Sequence, residues 1–211
     1  MMKTVLALGL FLGCVYAQVP SPCQPPDLWE ARELKIDRTE NYERYAKISY
    51  DNVNRRVRRI EELKIGKNTD YYDELYLHSE NRFYRLNLRT RQCNMTVPPR
   101  PWHPYGIPSG ATFRGENYIG ASVPYGGVLV TRWSGNFDNQ DYFAGAWTQP
   151  GCLPVVFDTY YNSTNEFIFR DFFDVTLGIS DPMVFVPPSE CQSSLKYQRR
   201  GKVGVVRMDH W

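Results

Sequence analysis

Histidine is scarce in this chain, with only His78, His103 and His210 among 211 residues. None has a second His or a Cys at metal-ligand spacing, which excludes the usual zinc and copper centres. Neither a Gly-x-Ser-x-Gly elbow nor a phosphate-cradling glycine loop occurs, so two common catalytic frameworks are absent. No charge sign is in excess: Lys and Arg total 25 against 23 Asp and Glu, a balance that argues against a dedicated nucleic-acid binder. Beyond the first residues, no apolar run approaches the roughly 20 residues that a membrane-spanning helix needs. Asp171 and Asp174 stand three apart on a strand-like run, hence on opposite faces, which is poor geometry for paired carboxylates. The sequence therefore reads as a non-enzyme that requires no cofactor and carries no transmembrane segment.

What is present begins with MMKTVLALGLFLGCVYAQ, one Lys followed by an apolar run and small residues at a cleavage position. This pattern predicts a secretory signal peptide over residues 1–17 and an exported, extracellular product. Residues 18–191 are expected to form a single domain, since no linker, repeat or low-complexity break divides them. The polar stretch 192–211 is expected to be a loosely ordered tail. Cys14 leaves with the leader, so Cys23, Cys93, Cys152 and Cys191 remain. An even count in an exported chain implies two disulfides, with three connectivities open. No free thiol is then left as a nucleophile. Asn94-Met95-Thr96 and Asn162-Ser163-Thr164 are N-glycosylation sequons, expected at solvent-facing turns.

Aromatics make up 15% of the residues, and they sit in short β-branched runs separated by turn residues. Leu28 to Lys35 has a helix-like composition but is read here as a first strand. Ala46 to Tyr50 and Arg55 to Leu63 flank the turn cluster Asp51-Asn52-Val53-Asn54. Asp73 to Leu77 and Arg82 to Leu88 flank a second turn. Tyr118 to Val123, Gly127 to Trp133, Tyr142 to Thr148, Leu153 to Tyr161 and Glu166 to Leu177 follow, and Val97 to Pro108 reads as a rigid, proline-dense connection. Nine to eleven short strands at this spacing predict an all-β, mainly antiparallel sandwich or half-open barrel.

The run Phe167 to Cys191 organises the rest. It opens as a strand, breaks at Asp181-Pro182, and ends with Phe185 as an apolar plug, a rigid Pro187-Pro188 and a staple at Cys191. FFDVTLGISDP, with Phe185, Pro187-Pro188 and Cys191, resembles the C-terminal signature of the ependymin-related proteins. Pro22-Cys23-Gln24 with Trp29-Glu30, Ser49-Tyr50-Asp51 with Arg56-Val57-Arg58, and Gln92-Cys93 with Pro101-Trp102 agree with it in order and spacing. The resemblance implies Cys23–Cys152 and Cys93–Cys191 disulfides, a homodimer, and two curved sheets around a deep apolar cleft resembling bacterial lipoprotein carriers. It further implies a lipid or other hydrophobic ligand, calcium binding, and lysosomal delivery as a second destination.

Alternation supplies the residues for such a cleft. Tyr84, Leu86 and Leu88 share one face of their strand, Phe143 and Trp147 another, and Phe167 and Phe169 a third. With Tyr50, Leu77, Trp133 and Phe157 they are the candidate lining, set against the plainer reading that such residues are core. Asp138 and Asp141 are the candidate calcium ligands, although their loop fails as an EF-hand because Asp141 and Trp147 replace the required Gly and Glu. Arg55-Arg56-Val57-Arg58-Arg59 reads either as a solvated outer face or as a patch for anionic headgroups or glycans. The leading expectation is a secreted glycoprotein that binds hydrophobic molecules. A matrix protein contacting collagen, glycans or mineral through its surface, and an unrecognised hydrolase, are the alternatives.

Overall fold

The computed structural model describes residues 19–191. The predicted leader and the predicted tail lie outside the described residues. Eleven strands form one antiparallel sheet, with two short 3-10 turns. In chain order the strands are β1 Leu28–Asp37, β2 Tyr42–Asp51, β3 Arg56–Ile65, β4 Asn68–Leu77, β5 Arg82–Asn87, β6 Cys93–Thr96, β7 Thr112–Gly120, β8 Gly127–Asn136, β9 Tyr142–Thr148, β10 Pro154–Tyr161 and β11 Glu166–Leu177. Leu28 to Lys35 is thus a strand despite its helix-forming composition. Pairing with β2 on one side and β11 on the other overrides propensity.

The sheet order is β6-β5-β4-β3-β2-β1-β11-β10-β9-β8-β7. Two meanders run outward from a central seam where the first strand meets the last, from Trp29 opposite Leu177 to Asp37 opposite Ile168. The two layers expected from the sequence are therefore two halves of one continuous sheet, open between β6 and β7. Each half is held by local hairpins, and only the β1–β11 seam needs pairing across most of the chain. At the β7 edge, a register shift between Phe113 and Gly115 interrupts the ladder, an irregularity that blunts edge-to-edge pairing.

The larger core lies where the two halves curl toward one another. Trp29, Ile48, Tyr50 and Val57 from one half pack with Trp133, Phe143, Trp147 and Phe157 from the other. Gly145 on β9 is required by this packing: a Cβ there would come within 2.6 Å of the Trp147 ring and 2.8 Å of the Val156 carbonyl. The connection from β6 to β7 crosses the inside of the curl. Ile107, fully buried, donates its N–H to the Cys23 carbonyl, and the Trp147 indole donates to the Tyr105 carbonyl at 2.7 Å.

A second cluster forms on the opposite face of β4 and β5, from Leu75, Leu77, Tyr84 and Leu86. It is covered by the segment after β11. Asp181 caps the turn Pro182–Phe185 by accepting from the Met183 N–H. Phe185, 5% exposed, enters the cluster with the Arg56 guanidinium 4.3 Å from its ring centre. Arg58 holds the segment down from beneath, donating to the Val184 carbonyl at 2.6 Å and to Asp73 at 2.8 Å. The disulfides are Cys23–Cys152, joining the entry segment to the β9–β10 turn, and Cys93–Cys191, joining β6 to the end of this hook. Long closed loops of this kind restrict the unfolded chain by about 3–5 kcal/mol each in the loop-entropy account.

Phe185→Ala should lower stability by about 3–5 kcal/mol, as expected for emptying a filled aromatic site. Phe185→Leu should cost clearly less. Urea denaturation followed by tryptophan fluorescence measures both, and a loss below about 1 kcal/mol for the alanine variant would mean that the hook is not part of the cooperative fold.

Candidate functional site

Between the inner face of the sheet and the crossing connection lies a cavity of about 350 Å³, at the lower end of the range of small-molecule pockets. One wall is aromatic: Tyr76, Phe83, Trp102, Tyr105 and Phe157 all line it. Trp102 stacks on Tyr50 with centroids 5.4 Å apart, and His78 meets its edge at 5.2 Å. Phe83 stacks on Tyr76 at 4.4 Å. Proline sets this wall in place. Pro99 and Pro101 lie on the lining, and Pro98, Pro99, Pro101 and Pro104 fix the backbone around Trp102 so that it holds its position without belonging to any strand.

The floor is charged, which the sequence did not lead us to expect. Arg59 donates through Nε to Glu33 at 2.7 Å and through Nη2 to the Tyr105 hydroxyl at 2.6 Å. Arg170 approaches the same Glu33 at 3.5 Å and donates to Thr159. Arg44 lies 3.3 Å from Glu61 and 3.8 Å from Glu74, and Arg85 lies 3.2 Å from Glu74. Arg100, on the crossing connection, pairs with Glu166 and covers the Tyr161 ring at 3.9 Å.

Local fields follow from this layout. Burial raises the Glu33 carboxyl, but the Arg59 and Arg170 charges more than offset it and hold Glu33 below the usual carboxylate range. Glu61 goes the other way: burial, then repulsion from Glu74, push it up to about 7 despite Arg44. Burial also raises Tyr161, yet Arg170 and Arg100 bring it below the usual tyrosine value. Lys35 is held well below the usual lysine value by burial and by Arg44, Arg170 and Arg100.

Of the residues predicted to line a pocket, Phe157 borders this cavity. Tyr50, Trp133, Phe143 and Trp147 are packed in the larger core. Leu77, Tyr84 and Leu86 sit in the second cluster with Leu88 against them, on the far side of β4–β5 beneath the hook. Phe167 and Phe169 are half-buried and contact one another at 4.5 Å, with the Arg38 guanidinium 5.1 Å from Phe169. The arginine run is not a solvated patch: Arg56, Arg58 and Arg59 pair with Asp51, Asp73 and Glu33, and only Arg55 is exposed.

Asp138 is exposed, while Asp141 is buried with its carboxylate accepting from Asn139 and from the Asn162 N–H. That carboxylate ties the β8–β9 turn to the β10–β11 turn. Among the described residues, no group of three His, Cys, Asp or Glu side chains is gathered closely enough to hold a metal ion. Asn162 is exposed in the β10–β11 turn, whereas Asn94 is exposed on edge strand β6 instead of in a turn.

The inward charges could have been read from strand phase. Lys35 follows Trp29, Ala31 and Glu33 at steps of two, and Arg44 precedes Ala46, Ile48 and Tyr50 in the same way. Both therefore belong to the core-facing side of their strands. Trp102 and Tyr105 had no periodic signal, because their segment is not a strand.

The family model described as Ependymin matches residues 66–191. The mouse "Mammalian ependymin-related protein 1" is 33% identical over 178 residues, covering 83% of this chain and 78% of its own length. "Ependymin-2" of Carassius auratus is 28% identical over 199 residues, covering 90% of this chain and 91% of its own. Among solved structures, an uncharacterized conserved protein from Thermus thermophilus superposes with a TM-score of 0.49 at 12% identity, over 78% of this chain and 87% of its own.

The elevated Glu61 carboxyl has a pH signature. In the folded chain it holds its proton up to about pH 7, whereas in the unfolded chain it ionises near pH 4.3. Between those values the folded state binds more protons, so this group's contribution to stability is full below the lower value and is lost as pH rises through the higher one. Glu61→Gln should therefore shrink the fall in melting temperature between pH 5 and pH 8. An unchanged fall would show that Glu61 titrates normally.

Proposed function

The chain belongs to the ependymin family, and from that premise we propose that it is an exported glycoprotein which takes a hydrophobic molecule, without covalent chemistry, into the hollow of its sheet. The observation that carries this reading is the cavity of about 350 Å³ whose aromatic wall is built by Tyr76, Phe83, Trp102, Tyr105 and Phe157. Burying an apolar chain against such a wall contributes about 0.8 kcal/mol per methylene, so few polar contacts are needed for retention. Trp102 is half-exposed and rides on a proline-framed loop that borders the cavity, which suits it to meet an entering ligand. No bond need be made or broken. No helix among the described residues is long and apolar enough to cross a membrane.

The charged floor refines the ligand class. A wholly apolar guest would bury the arginine and glutamate side chains against hydrocarbon, which is costly for polar groups. An amphipathic guest, with a polar end toward the floor and an apolar body along the aromatic wall, leaves both surfaces matched. Among the described residues no cluster of His, Cys, Asp or Glu is assembled that could hold a calcium ion.

Organic extraction of the natively purified protein should release an amphipathic molecule identifiable by mass spectrometry. Trp102→Ala should weaken binding of a fluorescent fatty-acyl probe roughly tenfold, the scale of a lost aromatic contact plus its burial. Release of no ligand, together with an unaltered probe affinity in the variant, would remove this reading and favour a matrix role for the surface.

Exposed Asn94 and Asn162 suit glycosylation, and exposed Tyr118, Val123, Tyr125 and Val128 around the β7–β8 turn suit a homodimer contact. Intact mass before and after enzymatic deglycosylation should change by two glycans, and light scattering should give twice the chain mass. A monomer at micromolar concentration would rule out the stable dimer.

A further inference from the structure

We propose that the cavity carries a subsite for an anionic headgroup, formed by Lys35, Arg44 and Arg170 with Arg100 facing them, so that the ligand is an anionic amphiphile. This rests on the ligand-binding reading above and specifies the chemistry of the guest's polar end.

Lys35 on β1 stands directly opposite Arg44 on β2 and directly opposite Arg170 on β11. Three cations thus form a row across three adjacent strands, and all three line the cavity. Like charges placed directly opposite one another destabilise a sheet, so the row needs compensation. Part of it is present: Glu33 serves Arg59 and Arg170, Glu61 and Glu74 serve Arg44 and Arg85, and Glu166 serves Arg100. That leaves four glutamates, of which Glu61 holds its proton up to about pH 7, against five arginines before Lys35 is counted.

Among the described residues no carboxylate comes within ion-pair distance of the Lys35 ammonium, and Glu33 and Glu61 act on it only at longer range while each is engaged by an arginine. Its ammonium lies 5.3 Å from the centre of the Tyr42 ring, a contact that supplies no countercharge. The Nε of Arg44 is buried without a hydrogen-bond partner, which leaves a second donor available at the same place. Glu40 also borders the cavity, but it is exposed at the rim. Burial first, and then Arg44, Arg170 and Arg100, depress Lys35, and the Arg170 and Arg100 charges bring Tyr161 down against its burial.

A phosphate or carboxylate at this position would accept from Lys35, Arg44 and Arg100 together, and charge-assisted hydrogen bonds of this kind are the strong ones. Its apolar chain would run along Tyr76, Phe83 and Trp102.

The test compares three probes on the full secreted chain by isothermal titration calorimetry: dodecyl phosphate, dodecanol and inorganic phosphate. Dodecyl phosphate should bind at least about tenfold more tightly than dodecanol, and inorganic phosphate far more weakly than either. Lys35→Met removes the unpaired cation at nearly constant volume and should collapse the ratio of dodecyl phosphate to dodecanol affinity. Arg100→Gln, on the connection and away from the sheet ladder, should lower the same ratio independently. Equal binding of dodecanol and dodecyl phosphate, or a ratio unmoved in both variants, would overturn the headgroup subsite while leaving the hydrophobic-binding reading intact. Failure of both amphiphiles to bind would overturn the two together. Inorganic phosphate binding as tightly as dodecyl phosphate would overturn the amphiphile and leave a small-anion site.

Discussion

One tyrosine joins the parts of this molecule that would otherwise be independent. Tyr105 is on the connection between the two meanders, and its ring contacts Trp29, Tyr50, Phe157 and Phe172 with centroids between 5.2 and 5.7 Å. Its carbonyl accepts from the Trp147 indole and its hydroxyl from Arg59. The aromatic core therefore ends at Tyr105 and the charged floor begins there. A sheet that curls but does not close needs something across its interior, and a proline-framed segment serves because it requires no ladder partners. With the connection seated, the interior divides into a packed half and a hollow half.

The hollow half shows why buried charge and an open cavity go together. Removing paired ions from water costs several kcal/mol per ion, recovered only with good geometry and further hydrogen bonds. Glu33 has that geometry, gripped by Arg59 and approached by Arg170. Glu61 does not: burial first, and then the repulsion of Glu74, with which it shares Arg44, push its carboxyl up. Apolar residues at these positions would pack more cheaply and would draw the two halves of the sheet closer. Large, mutually repelling side chains such as Arg44, Lys35 and Arg170 hold space between them that leucine or phenylalanine would fill. The cavity is in this sense a consequence of its floor.

The hook after β11 depends on a different balance. Its backbone carbonyls at 184 and 186 accept from Arg58, its ring at 185 fills the second cluster, and Cys191 ties it to β6. Leu77, Tyr84 and Leu86 thereby become core and not cleft. Sequence alternation correctly placed Tyr84, Leu86 and Leu88 on one face of their strand, but alternation cannot say which of two faces meets a ligand and which meets the chain's own C-terminal segment.

Strand identity was legible because it is a local property. Short β-branched and aromatic runs, turn clusters at Asp51 to Asn54 and around Asn162, and the break at Asp181-Pro182 each act within a few residues, so an all-β, mainly antiparallel class of nine to eleven strands followed from the chain itself. Edge strand β6 escaped notice because four residues are too few to show a period. Only the tertiary structure decided that β1 and β11 meet at the centre, that Arg59 turns into the hollow while Arg56 and Arg58 turn to the face beneath the hook, each toward a carboxylate 5 to 26 residues away in sequence, and that Lys35 lies between two arginines. Those facts depend on which strands become neighbours, and the free energy that selects neighbours is summed over the whole sheet and not carried by any one segment.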